Sequence, residues 1–127
     1  MWTLRVKEHF AAAHRLNGYE GKCSRLHGHT WQVEVAVSGN KTNNIGMLVD
    51  FKDIKAVLGG ILAEFDHQCL NELPPFNAGQ NPTAENLAAL VFHRMAKSDL
   101  FSEVVHLSAV TVWEEENSSA TFTPEGD

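Results

Sequence analysis

Three of the seven histidines in this 127-residue chain, His14, His27 and His29, lie close together in sequence, with Cys23 among them. His27 and His29 are two positions apart, so in an extended chain both side chains project to the same side, and Gly28 between them adds no bulk. If His14 ends a neighbouring strand, three imidazoles can converge on one ion. Three nitrogen ligands with an open fourth position describe a catalytic zinc site, whereas structural zinc takes four protein ligands and often thiolates. Taken alone, a His-x-His pair also reads as two hydrogen-bonded loop residues. Cys23 lies four positions before His27, where a cation would lower its pKa toward the thiolate and make it a base or nucleophile. A fourth metal ligand or a small buried hydrophobe, the reading given to Cys69, are the other possibilities. Asp66 and His67 set an acid and a base side by side at the predicted end of a helix, able to relay a proton or simply to cap. Glu114, between Trp113 and the acidic pair Glu115-Glu116, could accept N–H donors of a ligand, or be ordinary surface acidity. His9, His93 and His106 have no chemical partner in the sequence and take no role.

The elements that must position these residues follow from periodicity. Trp2, Leu4 and Val6 alternate with Thr3, Arg5 and Lys7, the pattern of a half-buried strand running toward His14. Arg15 to Arg25, with Asn17, Gly18 and Gly21, has no periodicity and reads as a loop carrying Cys23. Trp31, Val33, Val35 and Val37 mark a second strand, Thr30 to Val37. A turn from Ser38 to Asn44 follows, and Met47-Leu48-Val49 predicts a short third strand. Asp50 is a candidate cap for a helix from Phe51 to Phe65, with Phe51, Ile54, Leu58, Ile61, Leu62 and Phe65 at helical spacing. Its Gly59-Gly60 pair costs about 1 kcal/mol per residue relative to alanine, which close approach to a second helix could offset. A loop from Asn71 to Pro82 leads to Thr83, the cap of a second helix with Leu87, Leu90, Val91 and Met95 on its apolar face. A last strand ends near Glu114, with Val105, Leu107, Ala109, Thr111 and Trp113 on one face and a mixed set on the other. Three strands, two helices and a strand, with no repeated strand-helix-strand unit, predict an α+β fold: an antiparallel four-stranded sheet with two helices packed on one face. No linker or repeat divides the chain, so a single domain spans residues 1–127.

Composition narrows the classes of function. With 43% hydrophobic and 20% charged residues, the chain is neither disordered nor low-complexity. A formal charge of -6 argues against gripping nucleic acid or an anionic membrane by overall electrostatics. No apolar run is long enough to span a bilayer. Two cysteines and a start without a basic-then-apolar leader predict a cytoplasmic protein acting on a small molecule.

Phe10-Ala11-Ala12-Ala13-His14, Cys23 with three residues before His27-Gly28-His29, Gly46-Met47-Leu48-Val49-Asp50-Phe51, Asp66-His67, Pro82-Thr83-Ala84-Glu85-Asn86 and Glu114, in this order, resemble the 6-pyruvoyltetrahydropterin synthase superfamily. The match runs from about Leu4 to Phe122, and the short Cys-to-His spacing is similar to the bacterial 6-carboxytetrahydropterin synthase branch of queuosine biosynthesis. Ala11 departs from the serine of many relatives, and Phe65 from the usual leucine. The resemblance implies a tunnelling fold whose trimers close their sheets into a barrel, two trimers stacking into a hexamer. It places Zn2+ on His14, His27 and His29, the catalytic cysteine at Cys23, an Asp/His relay at Asp66 and His67, and a pterin anchor at Glu114. The relay would come from a neighbouring subunit. The implied reaction converts 7,8-dihydroneopterin triphosphate to 6-carboxy-5,6,7,8-tetrahydropterin, acetaldehyde and triphosphate, with Arg15, Lys22 and Arg25 as a basic rim for the triphosphate. The alternatives are a 6-pyruvoyltetrahydropterin synthase, which eliminates triphosphate and keeps the side chain, and a non-catalytic pterin- or metal-binding member.

Overall fold

The computed structural model describes residues 1–125; the single-domain expectation runs on through Gly126 and Asp127, which lie outside the described residues. Two long strands, β1 (Trp2–His14) and β2 (His27–Gly39), pair antiparallel from Trp2 opposite Gly39 to His14 opposite His27. After α1 (Phe51–Leu62), the two-residue β3 (Gln68–Cys69) runs parallel to the end of β1. Beyond α2 (Ala84–Met95), β4 (His106–Glu115) pairs with the other edge of β2, and β5 (Ser118–Phe122) pairs with β4. The sheet order is β3-β1-β2-β4-β5. No helix among the described residues is long and apolar enough to cross a membrane.

The strand alternation produces one helix-covered face and one bare face. Val6, Phe10, Trp31, Val33, Val35, Val37, Val110 and Val112 bury against Ile54, Leu58 and Leu62 of α1 and Leu87, Ala88, Val91 and Met95 of α2. Both predicted caps form: Asp50 accepts the Lys52 N–H at 2.9 Å, and Thr83 accepts the Asn86 N–H at 3.1 Å. Each satisfies an amide that the first helical turn leaves without an intrahelical partner.

Four expectations are corrected. The sheet has five strands rather than four, and its β1–β3 contact is parallel. The added β5 closes a hairpin through Glu116 and Asn117, a turn with none of the usual glycine signal. Met47-Leu48-Val49 forms no strand, because the Asn43 side chain accepts the Ile45 and Met47 N–H groups at 3.0 Å each and commits that backbone to a local turn. The first helix ends at Leu62, leaving Phe65 buried in the turns beyond it and Phe51 half exposed. Among the described residues Gly59 and Gly60 approach no second helix, since a Cβ at either would meet nothing within 4 Å.

The faces of β4 also differ from the predicted pattern. Val37 pairs with Leu107 and Ala36 with Ala109, so Ser108 is an extra, bulged residue. A bulge of one residue reverses which face later side chains occupy. Leu107 therefore packs against the core, and beyond the bulge Val110 and Val112 are the buried residues.

Candidate functional site

The histidines meet because strand register places them together. His14 stands opposite His27, and Ala12 opposite His29, all on the helix-covered face in line with Phe10 and Trp31. The ring centroids of His14 and His27 are 4.6 Å apart, those of His14 and His29 5.1 Å, and those of His27 and His29 4.8 Å. Trp31, fully buried, forms the floor, its ring meeting His14 at 4.8 Å and His29 at 5.3 Å edge to face. Its indole N–H reaches the Ala12 carbonyl at 3.3 Å.

Backbone carbonyls set the ring orientations. The His14 Nδ1–H donates to the Pro82 carbonyl at 2.8 Å, and the His27 Nδ1–H donates to the Arg25 carbonyl at 2.6 Å. A carbonyl only accepts, so each Nδ1 carries the proton and each Nε2 can present a lone pair, the arrangement usual behind a metal ligand. Burial lowers the pKa of His14 below the ordinary imidazole value. The neighbouring imidazoles act in the same sense, and the Pro82 carbonyl and the Glu114 charge oppose it. His14 is 1% exposed, and its Nε2 and that of His29 are buried without a hydrogen-bond partner among the described residues. Buried ring nitrogens are rarely left unpaired, and unpartnered nitrogens this close together suit a cation. The residues present therefore fit a divalent metal.

Glu114 joins this group. It lies two residues beyond Val112, at a second bulge where β5 pairs Ser119 with Trp113 and Ser118 with Glu115, leaving Glu114 unmatched. Bulges commonly re-aim a side chain. One candidate ligand atom from each of His14, His27, His29 and Glu114 lies within 4.8 Å of the others, and Cys23 falls outside this set. Cys23 sits in a short 3-10 turn, Lys22–Ser24, that the Leu16 N–H ties down through the Cys23 carbonyl at 2.9 Å. Lys22 and Arg25 line a surface pocket with Gly21 and Ser24.

Asp66 and His67 form a separate pair at the outer edge of β1. The Asp66 Oδ1 accepts the Ala11 N–H at 2.9 Å, and its Oδ2 lies 3.0 Å from the His67 Nδ1. The His67 N–H returns to the Ala11 carbonyl at 2.6 Å, holding His67 at a φ of 60°, a left-handed conformation uncommon outside glycine. The Ala11 amide and then His67 hold the Asp66 carboxyl below its ordinary range. The His67 side chain is 81% exposed and borders an open cleft of about 620 Å³ that is also lined by Ala11, Ala13, Gly28, His29 and Cys69. Within one chain the three imidazoles lie on the helix-covered side, while the Asp66–His67 pair sits at the edge of β1, Asp66 bordering Phe10, Leu62 and Ala63 and His67 bordering the open cleft.

Sequence reasoning placed the three imidazoles together but missed Trp31 as their floor, the two orienting carbonyls and the approach of Glu114 to the ligand atoms. The shared parity of His27, His29 and Trp31 could have identified the floor. No sequence signal marks a carbonyl as an imidazole's partner.

Fold and site together define an α+β protein with a three-imidazole, one-carboxylate cluster at the end of its sheet. The profile of the 6-pyruvoyl tetrahydropterin synthase family matches residues 3–125, and the chain belongs to that family. It is 33% identical to the 6-carboxy-5,6,7,8-tetrahydropterin synthase of Synechocystis, over 96% of this chain and 93% of the relative. It is 35% identical to the dihydroneopterin monophosphate aldolase of Pyrococcus furiosus, over 83% of this chain and 82% of that protein. The structure of 6-pyruvoyl tetrahydropterin synthase from Caenorhabditis elegans superposes with a TM-score of 0.85 at 26% identity, covering 98% of this chain and 96% of the other.

Proposed function

We propose that this chain is a metal-dependent 6-carboxy-5,6,7,8-tetrahydropterin synthase that converts 7,8-dihydroneopterin triphosphate and water to 6-carboxytetrahydropterin, acetaldehyde and triphosphate. The observation that carries the reading is the pair of buried, unpartnered Nε2 atoms of His14 and His29 beside His27 and Glu114, in a chain that matches a synthase of this name nearly end to end. The metal, read as zinc, would be held by His14, His27 and His29. When bound it supplies Lewis acidity that makes protons on the substrate's side chain easier to remove. The pterin ring gains the two hydrogens that the side chain loses, so no nicotinamide or flavin is needed.

Cys23, outside the ligand set, is the proton-transfer residue, and a positioned acid or base of this kind contributes about 10²- to 10⁴-fold. Asp66 holds the His67 ring through Nδ1 and leaves its other nitrogen free to exchange a proton with the substrate. That pair is exposed at the edge of β1, open to a neighbouring chain, so the complete site is read as forming between chains in a homo-oligomer, a hexamer of two trimers acting in the cytoplasm. Glu114 accepts the N–H donors of the pterin ring, and Arg15, Lys22 and Arg25 receive the triphosphate.

Incubation of the purified protein with 7,8-dihydroneopterin triphosphate, with assays for acetaldehyde and pterin products, tests the reading. Equal amounts of acetaldehyde and 6-carboxytetrahydropterin are expected. A product that keeps the three-carbon side chain would make the chain a 6-pyruvoyl tetrahydropterin synthase, and cleavage of the monophosphate in preference to the triphosphate would make it an aldolase. Tight pterin binding with no product would leave a binding protein.

A further inference from the structure

The Glu114 Oε1 lies 3.3 Å from the His14 Nε2 and 3.0 Å from the His29 Nε2. These are hydrogen-bonding distances, yet neither nitrogen is hydrogen-bonded, so the oxygen stands off the line along which a ring N–H would point. The ring lone pair lies along that same line. The two nitrogens therefore point aside from the Glu114 oxygen, which lies beside both rather than capping either ring. Ligand atoms sharing a tetrahedral zinc at about 2.0–2.1 Å stand about 3.3–3.4 Å from one another, close to both observed separations. Without a cation, the carboxylate oxygen would crowd the His14 Nε2 lone pair with no proton between them. An imidazolium–carboxylate pair would instead place the oxygen in line with an N–H.

We propose that Glu114 is the fourth ligand of the metal in the substrate-free protein and closes the position that the histidines leave open. This rests on the reading of His14, His27 and His29 as metal ligands and adds a role for Glu114 before substrate arrives. Substrate hydroxyls must then displace the carboxylate, which frees Glu114 to meet the ring N–H donors of the pterin.

Cobalt(II) serves as the probe, because its visible spectrum reports coordination in the absence of turnover. Metal-free wild type, Glu114→Gln and Glu114→Ala are titrated with Co2+ against a competing chelator, and each loaded protein is then titrated with azide. The Gln variant keeps the shape of the side chain, so the result does not depend on the Ala variant alone. The expected result is a loss of Co2+ affinity of about 10²-fold in the Ala variant, the scale of one ligand, with a smaller loss in the Gln variant. Azide should perturb the spectra of both variants at concentrations that leave wild type unchanged. Equal affinity, spectrum and azide response in all three proteins would overturn the proposal and leave the histidine site standing. Failure of wild type to bind Co2+ stoichiometrically would overturn the histidine site and this proposal together.

Discussion

His27→Ala separates the metal site from the fold more cleanly than any other substitution in the cluster. His27 is partly exposed, and its one hydrogen bond is to the carbonyl of Arg25 on an exposed turn, which water can replace. Its loss should cost the metal-free fold no more than about 1 kcal/mol. The metal-bound state should suffer much more. Zinc binding worth about 10–16 kcal/mol over four ligands gives about 2.5–4 kcal/mol per ligand, or roughly two to three orders of magnitude in affinity. At free zinc about 100-fold above the wild-type Kd, binding stabilises the wild type by about 2.7 kcal/mol. At about 3–6 °C per kcal/mol for a domain of this size, Tm should rise by roughly 8–16 °C over the chelated protein. In a variant binding 10²-fold more weakly, the same zinc gives about 0.4 kcal/mol and a rise of roughly 1–3 °C. Thermal melts with zinc and with chelator measure both differences. His14→Ala behaves differently: it empties a buried site beside Trp31 and unpairs the Pro82 carbonyl, so its metal-free form should already lose roughly 2–4 kcal/mol. A full zinc-dependent rise in His27→Ala, or none in wild type, would refute the ligand assignment.

Cys23→Ala should keep its metal and lose about 10²- to 10⁴-fold in turnover, because its thiol lies outside the ligand set; loss of metal in this variant would make the thiol a ligand. The Asp66 carboxyl is held low in the folded state by the Ala11 amide and by His67, so its stabilisation is present above the unfolded pKa of about 3.9 and is lost as pH falls through the lower folded value. Urea unfolding should accordingly show wild type ahead of Asp66→Asn at neutral pH, with the gap narrowing as pH falls below about 3.9; a gap independent of pH would contradict the hold of the Ala11 amide and His67 on this carboxylate. Gly59→Ala and Gly60→Ala should each stabilise the protein by up to about 1 kcal/mol, since a methyl meets nothing there; destabilisation would show that this helix face is packed against another chain.

The parts of the site that the sequence revealed are those governed by strand parity. His27 and His29 could be paired by the two-residue repeat of an extended chain, although the alternation marks the strand only from Thr30 whereas it begins at His27, and His14 could be placed because the first strand runs into it. What stayed hidden depends on register and on backbone groups. Ser108 and Glu114 sit at bulges that add one residue against a partner strand, and nothing in the composition of β4 shows where pairing slips. The bulge at Ser108 is why Val110 and Val112, read as part of a mixed face, are core. Met47 to Val49 has the apolar content of a strand, but Asn43 competes for its amides. Ser118 to Phe122 has little apolar content and pairs because the hairpin brings it to the edge of β4. The carbonyls of Pro82 and Arg25 belong to loops without periodicity, so their hold on His14 and His27 is a property of tertiary structure alone.

The proposed site is divided between chains, the metal ligands and Cys23 of one chain being completed by the exposed Asp66 and His67 of another. Cys23→Ala and His67→Ala subunits should each be inactive alone, yet an intact Cys23 of one chain can meet an intact His67 of another. Activity measured after co-expression, or after joint unfolding and refolding, tests this directly, with each variant carried through separately. With random mixing, each half-site is intact with a probability of about one half, so about a quarter of wild-type sites should recover. Verified mixed oligomers as inactive as the single variants would contradict the divided site and require each chain to use its own Asp66 and His67.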